Sequence, residues 1–281
     1  MFTSVTFTPA NTSTAITLHG SSTAQLTHAE GLVGPPAPRD VTNILPGRDG
    51  LSDQTHYLSE RLITLEGELV GSSQMTLLTA WDALSGALET TMLAPGTLTV
   101  TRPDGTERWC KVVLAGAAQP SFDGGAQFLQ YQLTLRAPDP RWYDTNLNTS
   151  ALTMTGSSTS PLSANVLNYG NAPAYGTYAW TSPAGNSFIN YARITVPSSY
   201  SALSLQGSAM TSATGITGQY QSVNNYFVTA SNRTASPSDL QKATDEWPIL
   251  YPGTSVFSFY GHNYAGGGPM TCTLSWYDAW W

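Results

Sequence analysis

The sequence predicts a mainly β protein of two domains, with a single α-helix in the first. Three observations carry that reading. Charged residues make up 10% of the 281, against roughly a quarter in ordinary soluble domains, and Ser, Thr, Asn, Gln and Gly supply the missing polarity. Those residues suit strand faces and turns and make poor exposed helices. Period-two alternation recurs in both halves of the chain, whereas apolar residues at three- and four-residue steps occur convincingly in one place only.

The elements of the first half follow from their patterns. Across residues 61–69, Ile63, Leu65 and Leu69 face one way and Thr64, Glu66 and Glu68 the other, as in a strand with one covered side. A helix follows, with Ser72 or Ser73 as its cap and Leu77, Leu78, Trp81, Leu84 and Leu88 on its apolar stripe. That stripe is expected to pack on the sheet of the same domain. Pro95-Gly96 turns the chain into residues 97–102, and Pro103-Asp104-Gly105 turns it again into residues 108–114, making a hairpin. Gly124-Gly125 leads to the clearest strand, where Leu129, Tyr131, Leu133 and Leu135 alternate with Gln130, Gln132, Thr134 and Arg136. It runs into Ala-Pro-Asp-Pro, whose prolines remove ladder donors, and then Trp142-Tyr143. One helix on several antiparallel strands makes a β-barrel or split-barrel-like sheet.

Charge divides the chain. Residues 1–145 hold 8 of 11 Lys+Arg and 14 of 18 Asp+Glu, which leaves seven charges for the rest. The shift falls in the Ser/Thr-rich segment 145–161, giving domains 1–145 and 146–281. The second half alternates short strand patterns, among them 166–171, 188–196, 225–230, 255–260 and 271–276, with Gly/Pro/Asn turns. That spacing suggests an antiparallel β-sandwich. The closing SWYDAWW is too aromatic for a frayed tail, and Trp280 and Trp281 are expected at least half buried.

Net charge −7 with scattered basic residues argues against nucleic-acid recognition, which needs a cationic stripe, and against an anionic membrane surface. No apolar run reaches transmembrane length, and residues 1–5 carry neither the charged nor the apolar part of a secretion signal. Synthesis in a cytoplasm without secretion is expected. Cys110 and Cys272, one in each half, read as small buried hydrophobes and not as a disulfide.

Catalytic patterns are missing. His19, His28, His56 and His262 lack ligand spacing for a metal. Neither HExxH, GxSxG nor a P-loop occurs. Asp139 and Asp144 read as turn residues in a proline-rich strand exit rather than as a glycosidase pair. Asp123-Gly124-Gly125 lacks the alternating oxygen ligands of a calcium loop. The expectation is a non-enzyme with no cofactor and no metal. Tyr178, Trp180, Tyr226 and Trp247, with Tyr220 and Tyr260, could stack on pyranose rings as a glycan site, or else fill a core or a subunit interface.

Several short motifs, in their order along the chain, resemble the distal tail proteins of long-tailed phages. They are Leu18-His19-Gly20, Pro46-Gly47-Arg48-Asp49-Gly50, the strand RLITLEG from Arg61 to Gly67, and Arg136-Ala137-Pro138-Asp139-Pro140. In the second half, Asn168-Tyr169-Gly170-Asn171-Ala172-Pro173, Leu250-Tyr251-Pro252-Gly253 and Trp276-Tyr277-Asp278-Ala279-Trp280 are similar to the C-terminal sandwich of such proteins from phages of actinobacterial hosts. Thr254-Ser255 departs from the family, where Asn is frequent. The resemblance implies a tail-tube-like first domain and a galectin-like or carbohydrate-binding-module-like second one. It further implies a virion protein of the tail tip that forms a homo-oligomeric, six-fold ring between the tail tube protein and the tail-tip hub. A receptor-binding protein or host cell-wall glycan would be a further partner. The alternatives are a monomeric carbohydrate-binding module or adhesin, and another tail component such as a tube or hub protein.

Overall fold

The computed structural model describes residues 2–39, 42–44, 51–53, 57–122, 127–154, 160–181, 187–196, 199–205, 215–221, 225–230, 233–234, 240–242, 249–263 and 269–281. The chain forms two compact units, residues 1–142 together with Trp281, and residues 143–280. Strands dominate, all their pairings are antiparallel, and one α-helix occurs among the described residues.

In the first unit the ladder runs Ile16–His19, Ser4–Thr8, Gly96–Thr101, Glu107–Leu114, Phe128–Ala137, Arg61–Val70 and Ala24–Glu30, with Gln119–Phe122 beside Phe128–Ala137. The sheet is split at its middle, where only Val113↔Arg136 and Leu114↔Leu135 pair. It does not close into a barrel. Closure needs the first and last strands to exchange backbone bonds. Here a side chain links them, with the Leu26 amide donating to His19 Nδ1 at 3.2 Å.

Alternation decides what is buried. Leu129, Tyr131, Leu133 and Leu135 are buried while Gln130, Gln132 and Arg136 are exposed. Across the ladder, Ile63, Leu65 and Leu69 join them. Gly67 sits opposite Tyr131 because a Cβ there would strike the phenol oxygen, and that hydroxyl donates to Leu18 O at 3.3 Å. The helix Gln74–Glu89 starts at Ser73, whose Oγ accepts from the Thr76 amide at 3.3 Å. Its Leu77, Leu84 and Leu88 are buried, against the strands Arg61–Val70 and Glu107–Leu114. The hairpin turn forms at residues 103–105, with Gly105 at φ +82° and Asp104 Oδ1 accepting from the Thr106 amide and hydroxyl.

The second unit has two antiparallel sheets. One runs Leu162–Asn168, Gly253–Asn263, Ser187–Val196, Ser199–Leu205 and Leu240–Lys242. The other contains Met270–Trp280, Ala174–Thr181, Gly215–Gln221 and Asn225–Ala230. Val166, Leu250, Phe257, Phe259, Cys272, Leu274 and Trp276 form its core. The Ser/Thr-rich segment 145–161, where the composition shift was taken to mark the domain boundary, begins within the strand Trp142–Met154. Ser, Thr and Asn tolerate a pleated surface, and Leu152 and Met154 alternate inward at its end. Both cysteines are buried.

Candidate functional site

The first unit concentrates its arginines at one corner. Arg61 begins the strand Arg61–Val70 in the same phase as Ile63 and Leu65, so the alternation that buries those residues buries it too. Its Nε donates to Pro140 O at 2.8 Å and its Nη1 to Gly31 O at 2.9 Å. The guanidinium lies 5.9 Å from the ring centroid of Trp142. Burial lowers its pKa, and it pushes that of neighbouring Cys110 up. Arg61 Nη2 and Trp142 Nε1 are buried donors without a partner. Gly31 reaches its carbonyl position at φ +77°, where an added Cβ would run into the Leu62 carbonyl. Next to it, Arg141 pairs with Asp139 at 2.9 Å and stands 5.5 Å from the Trp281 ring centroid. Trp280 and Trp281 are both more than half buried, as the aromatic ending suggested.

A cleft of about 400 Å³ opens beside this corner, lined by Phe2, Leu32, Val33, Val100, Arg102, Pro103, Arg108, Trp142 and Trp281. Its arginines follow from strand phase. Leu98 and Val100 point into the core, and Arg102 continues their phase. Across the hairpin, Cys110 and Val112 point inward and Arg108 continues theirs. The core face thus ends in cations at the mouth of the cleft. Arg102 lies 3.9 Å from Asp104, an exposed pair.

The open face of the same unit is of opposite character. Gln130 Nε2 donates to Glu68 and Gln132 Nε2 to Glu66, both at 3.2 Å, and Arg136 pairs with Glu60 at 3.2 Å. With Thr27, Gln119 and Ser121 they border a polar depression of about 490 Å³.

In the second unit Asn168 ties the opening turn to the final strand. Its Nδ2 donates to Ala172 O and Leu250 O, and its Oδ1 accepts from the Gly170 and Ala279 amides. Asp278 Oδ1 accepts from the Tyr169 amide at 3.2 Å, and burial raises its pKa.

Of the residues named for glycan stacking, Tyr178 and Trp180 lie on a strand that pairs with the one carrying Tyr220, which in turn pairs with the one carrying Tyr226. Trp247 lies outside the described residues. Tyr178, Trp180, Tyr220 and Tyr226 lie on described strands, with Tyr220 paired to Tyr226 in register, but their side chains fall outside the description. Pro46–Gly50, residues 123–126 and His56 also lie outside it. Among the described residues no group of three or more His, Cys, Asp or Glu could hold a metal ion, and no helix is long and apolar enough to cross a membrane. Sequence reasoning missed the Arg61 corner. Its available signal was phase, since Arg61 occupies an inward register position.

A split antiparallel sheet carrying one helix, followed by a second β unit, is an arrangement shared with solved phage proteins. The chain resembles the crystal structure of the SPP1 Dit protein, a paradigm of the hub adsorption apparatus in phages infecting Gram-positive bacteria, at TM-score 0.56 and 14% identity over 96% of this chain and 98% of that one. It also resembles chains of the phage P2 baseplate in its activated conformation, with calcium (TM-score 0.52, 8% identity) and with strontium (TM-score 0.50, 9% identity), over 97% of both chains in each case. No protein-family profile and no curated protein matches the sequence.

Proposed function

We propose that this chain is a structural, non-enzymatic distal tail protein of a long-tailed phage. In this reading it forms a ring, six-fold in the simplest case, that joins the tail tube to the tail-tip hub. The observation that supports it is the end-to-end fold likeness to the SPP1 Dit protein and to phage P2 baseplate chains. Both units take part in that likeness, so a shared β-module alone does not account for it. The first domain, residues 1–145, would build the ring, and the nearly charge-free second domain would face outward to further tail proteins or the host surface. A ring subunit presents two different surfaces to identical neighbours. The arginine-lined cleft and the acidic sheet face of the first unit are two such unlike surfaces.

Mass photometry with negative-stain imaging of the purified chain, alone and mixed with tail-tube and hub proteins from the same tail, tests the reading. Closed rings with a central hole are expected. Endless tubes would make it a tube protein, and a monomer in every mixture would overturn the ring.

A further inference from the structure

We propose that His19 is a pH-sensitive latch on the open seam of the first unit. Neutral, its ring holds the two ends of the ladder together; protonated, it releases them. The inference goes beyond the proposed tail role and does not depend on it.

The seam begins at the turn that joins its two strands. Ser21 Oγ accepts from the Thr23 and Ala24 amides, and the Ser21 amide reaches Ala24 O at 3.5 Å, so the chain reverses there as a hairpin does. Continuing that register would set His19 opposite Leu26 and join Ile16–His19 to Ala24–Glu30 backbone to backbone. The two strands pair elsewhere instead, with Ser4–Thr8 and Arg61–Val70. A bulge between Leu26 and His28 accounts for the parting, since a bulge bends and twists its strand. The Thr27 hydroxyl at the bulge donates to Glu66 O at 3.2 Å, on the side away from the seam. Where the backbones part, the Leu26 amide donates to His19 Nδ1 at 3.2 Å.

Only one charge state of the ring can accept that bond. An imidazole that accepts at Nδ1 carries its hydrogen on Nε2, whereas imidazolium has a hydrogen on both nitrogens and accepts at neither. Histidine is the side chain suited to make this change between about pH 5 and 8. Protonation sets one N–H against another and removes the link. The surroundings do not replace it. A small cavity of about 70 Å³ lies at the seam, and Phe2, Val5, Leu26 and Leu32 wall it beside His19. Among the described residues of that wall, His28 is the other titratable one, exposed and paired through Nε2 with Glu30 at 3.2 Å. Two charged imidazoles around one small, mostly apolar cavity repel each other, which also favours parting. Of the neighbouring strands, Ser4–Thr8 brings no titratable residue. On Arg61–Val70, Glu66 and Glu68 stand opposite His28 and Gln25, and Gln132 and Gln130 donate to them. The Tyr131 hydroxyl donates to Leu18 O, and burial pushes its pKa up, so it stays neutral throughout. Opening bares the facing edges of Ile16–His19 and Ala24–Glu30, and strand edges are the part of a sheet most apt to accept another strand.

The test uses the full chain labelled with nitrogen-15 and NMR at the two ends of that pH range. At the upper end the His19 ring should be the Nε2–H tautomer, read from its nitrogen–proton correlations. Protection of the Leu26 amide against hydrogen exchange, corrected for the intrinsic pH dependence, should fall about five- to tenfold at the lower end, as expected for loss of one ordinary hydrogen bond. His19→Asn, which offers an amide oxygen close to the place of Nδ1 and does not titrate, should keep that protection at both ends. His19→Leu should lack it at both, and His28→Gln should leave the pH response in place. A hydrogen on Nδ1 at the upper end, or equal Leu26 protection at both ends, would overturn the latch. So would a response that survives His19→Asn and vanishes in His28→Gln. The tautomer and the protection are read on the unaltered chain, so a variant that fails to fold does not rescue the proposal. Ring assembly is read separately by mass, so either inference can fail without the other.

Discussion

Arg61 shows how much one misplaced-looking charge can hold. It donates to carbonyls of Pro140 and Gly31, which are far from it in sequence. Arg61→Met should therefore leave two acceptors unpaired and lower the unfolding free energy by about 2–6 kcal/mol, at roughly 1–3 for each buried group left unsatisfied. Arg61→Lys should not rescue it, since one ammonium cannot span both carbonyls. Urea midpoints of the two variants check this. Gly31→Ala should cost about 1–3 kcal/mol by the same assay, through its positive φ and the approach of Leu62. Two aspartates predict opposite pH responses. Burial raises the Asp278 pKa in the folded state. Its contribution is thus fully present below the unfolded carboxylate value and is lost as pH rises through the folded one. Asp104 is held low, first by the Thr106 hydroxyl and then by the Thr106 amide, so its contribution is present above the unfolded value and lost as pH falls. Between acid and neutral pH, Asp278→Asn should remove a fall in stability and Asp104→Asn a rise. Denaturant midpoints taken across that range measure both slopes.

At the scale of elements, the helix and the long strands were legible because one face of each is apolar at the right period. Leu77, Leu84 and Leu88 point inward as their spacing required, and the strand Phe128–Ala137 ends where the prolines stop it. Ser73→Ala should cost about 1 kcal/mol of stability, the usual worth of such a cap, readable as a lower thermal midpoint. The strand Trp142–Met154 was not legible across its middle. Its Asn, Thr and Ser residues are exposed or only partly covered, and a strand without a clean buried face looks like a connection. The Arg61 corner was hidden for a different reason. Charge reads as surface in a one-dimensional pattern, and only the register opposite Ala137 puts the guanidinium near Pro140 and Trp142. Asn168 was quoted as part of a turn. That it gathers Ala172, Leu250 and Ala279 depends on strands brought in from more than eighty residues away.

Over the whole molecule, the mainly β fold class came from composition and period, and the likeness to solved phage tail structures from short motifs spread along both halves. The uneven charge has a practical reading. The first half carries 22 of the 29 charges, so added salt should weaken contacts made by the first unit and leave those of the second nearly unchanged. Comparing assembly mass at low and high salt for the whole chain and for a variant with Glu66→Gln and Glu68→Gln would show it.

The close fit of Gly170 against the Ala279 backbone has a consequence in time. A side chain at residue 170 would strike the Ala279 carbonyl, and the Asn168 oxygen reaches the Ala279 amide. The opening turn of the second unit thus takes its final shape only against the strand Met270–Trp280, whose Ala279 lies 111 residues on from Asn168. The ladder pairs described for the first unit all fall before Trp142 and can form during translation, while the second unit must wait, its sheets unfinished, until Met270–Trp280 has been made. Nascent chains halted at residue 260 should resist protease through the first unit and be cut freely within the second.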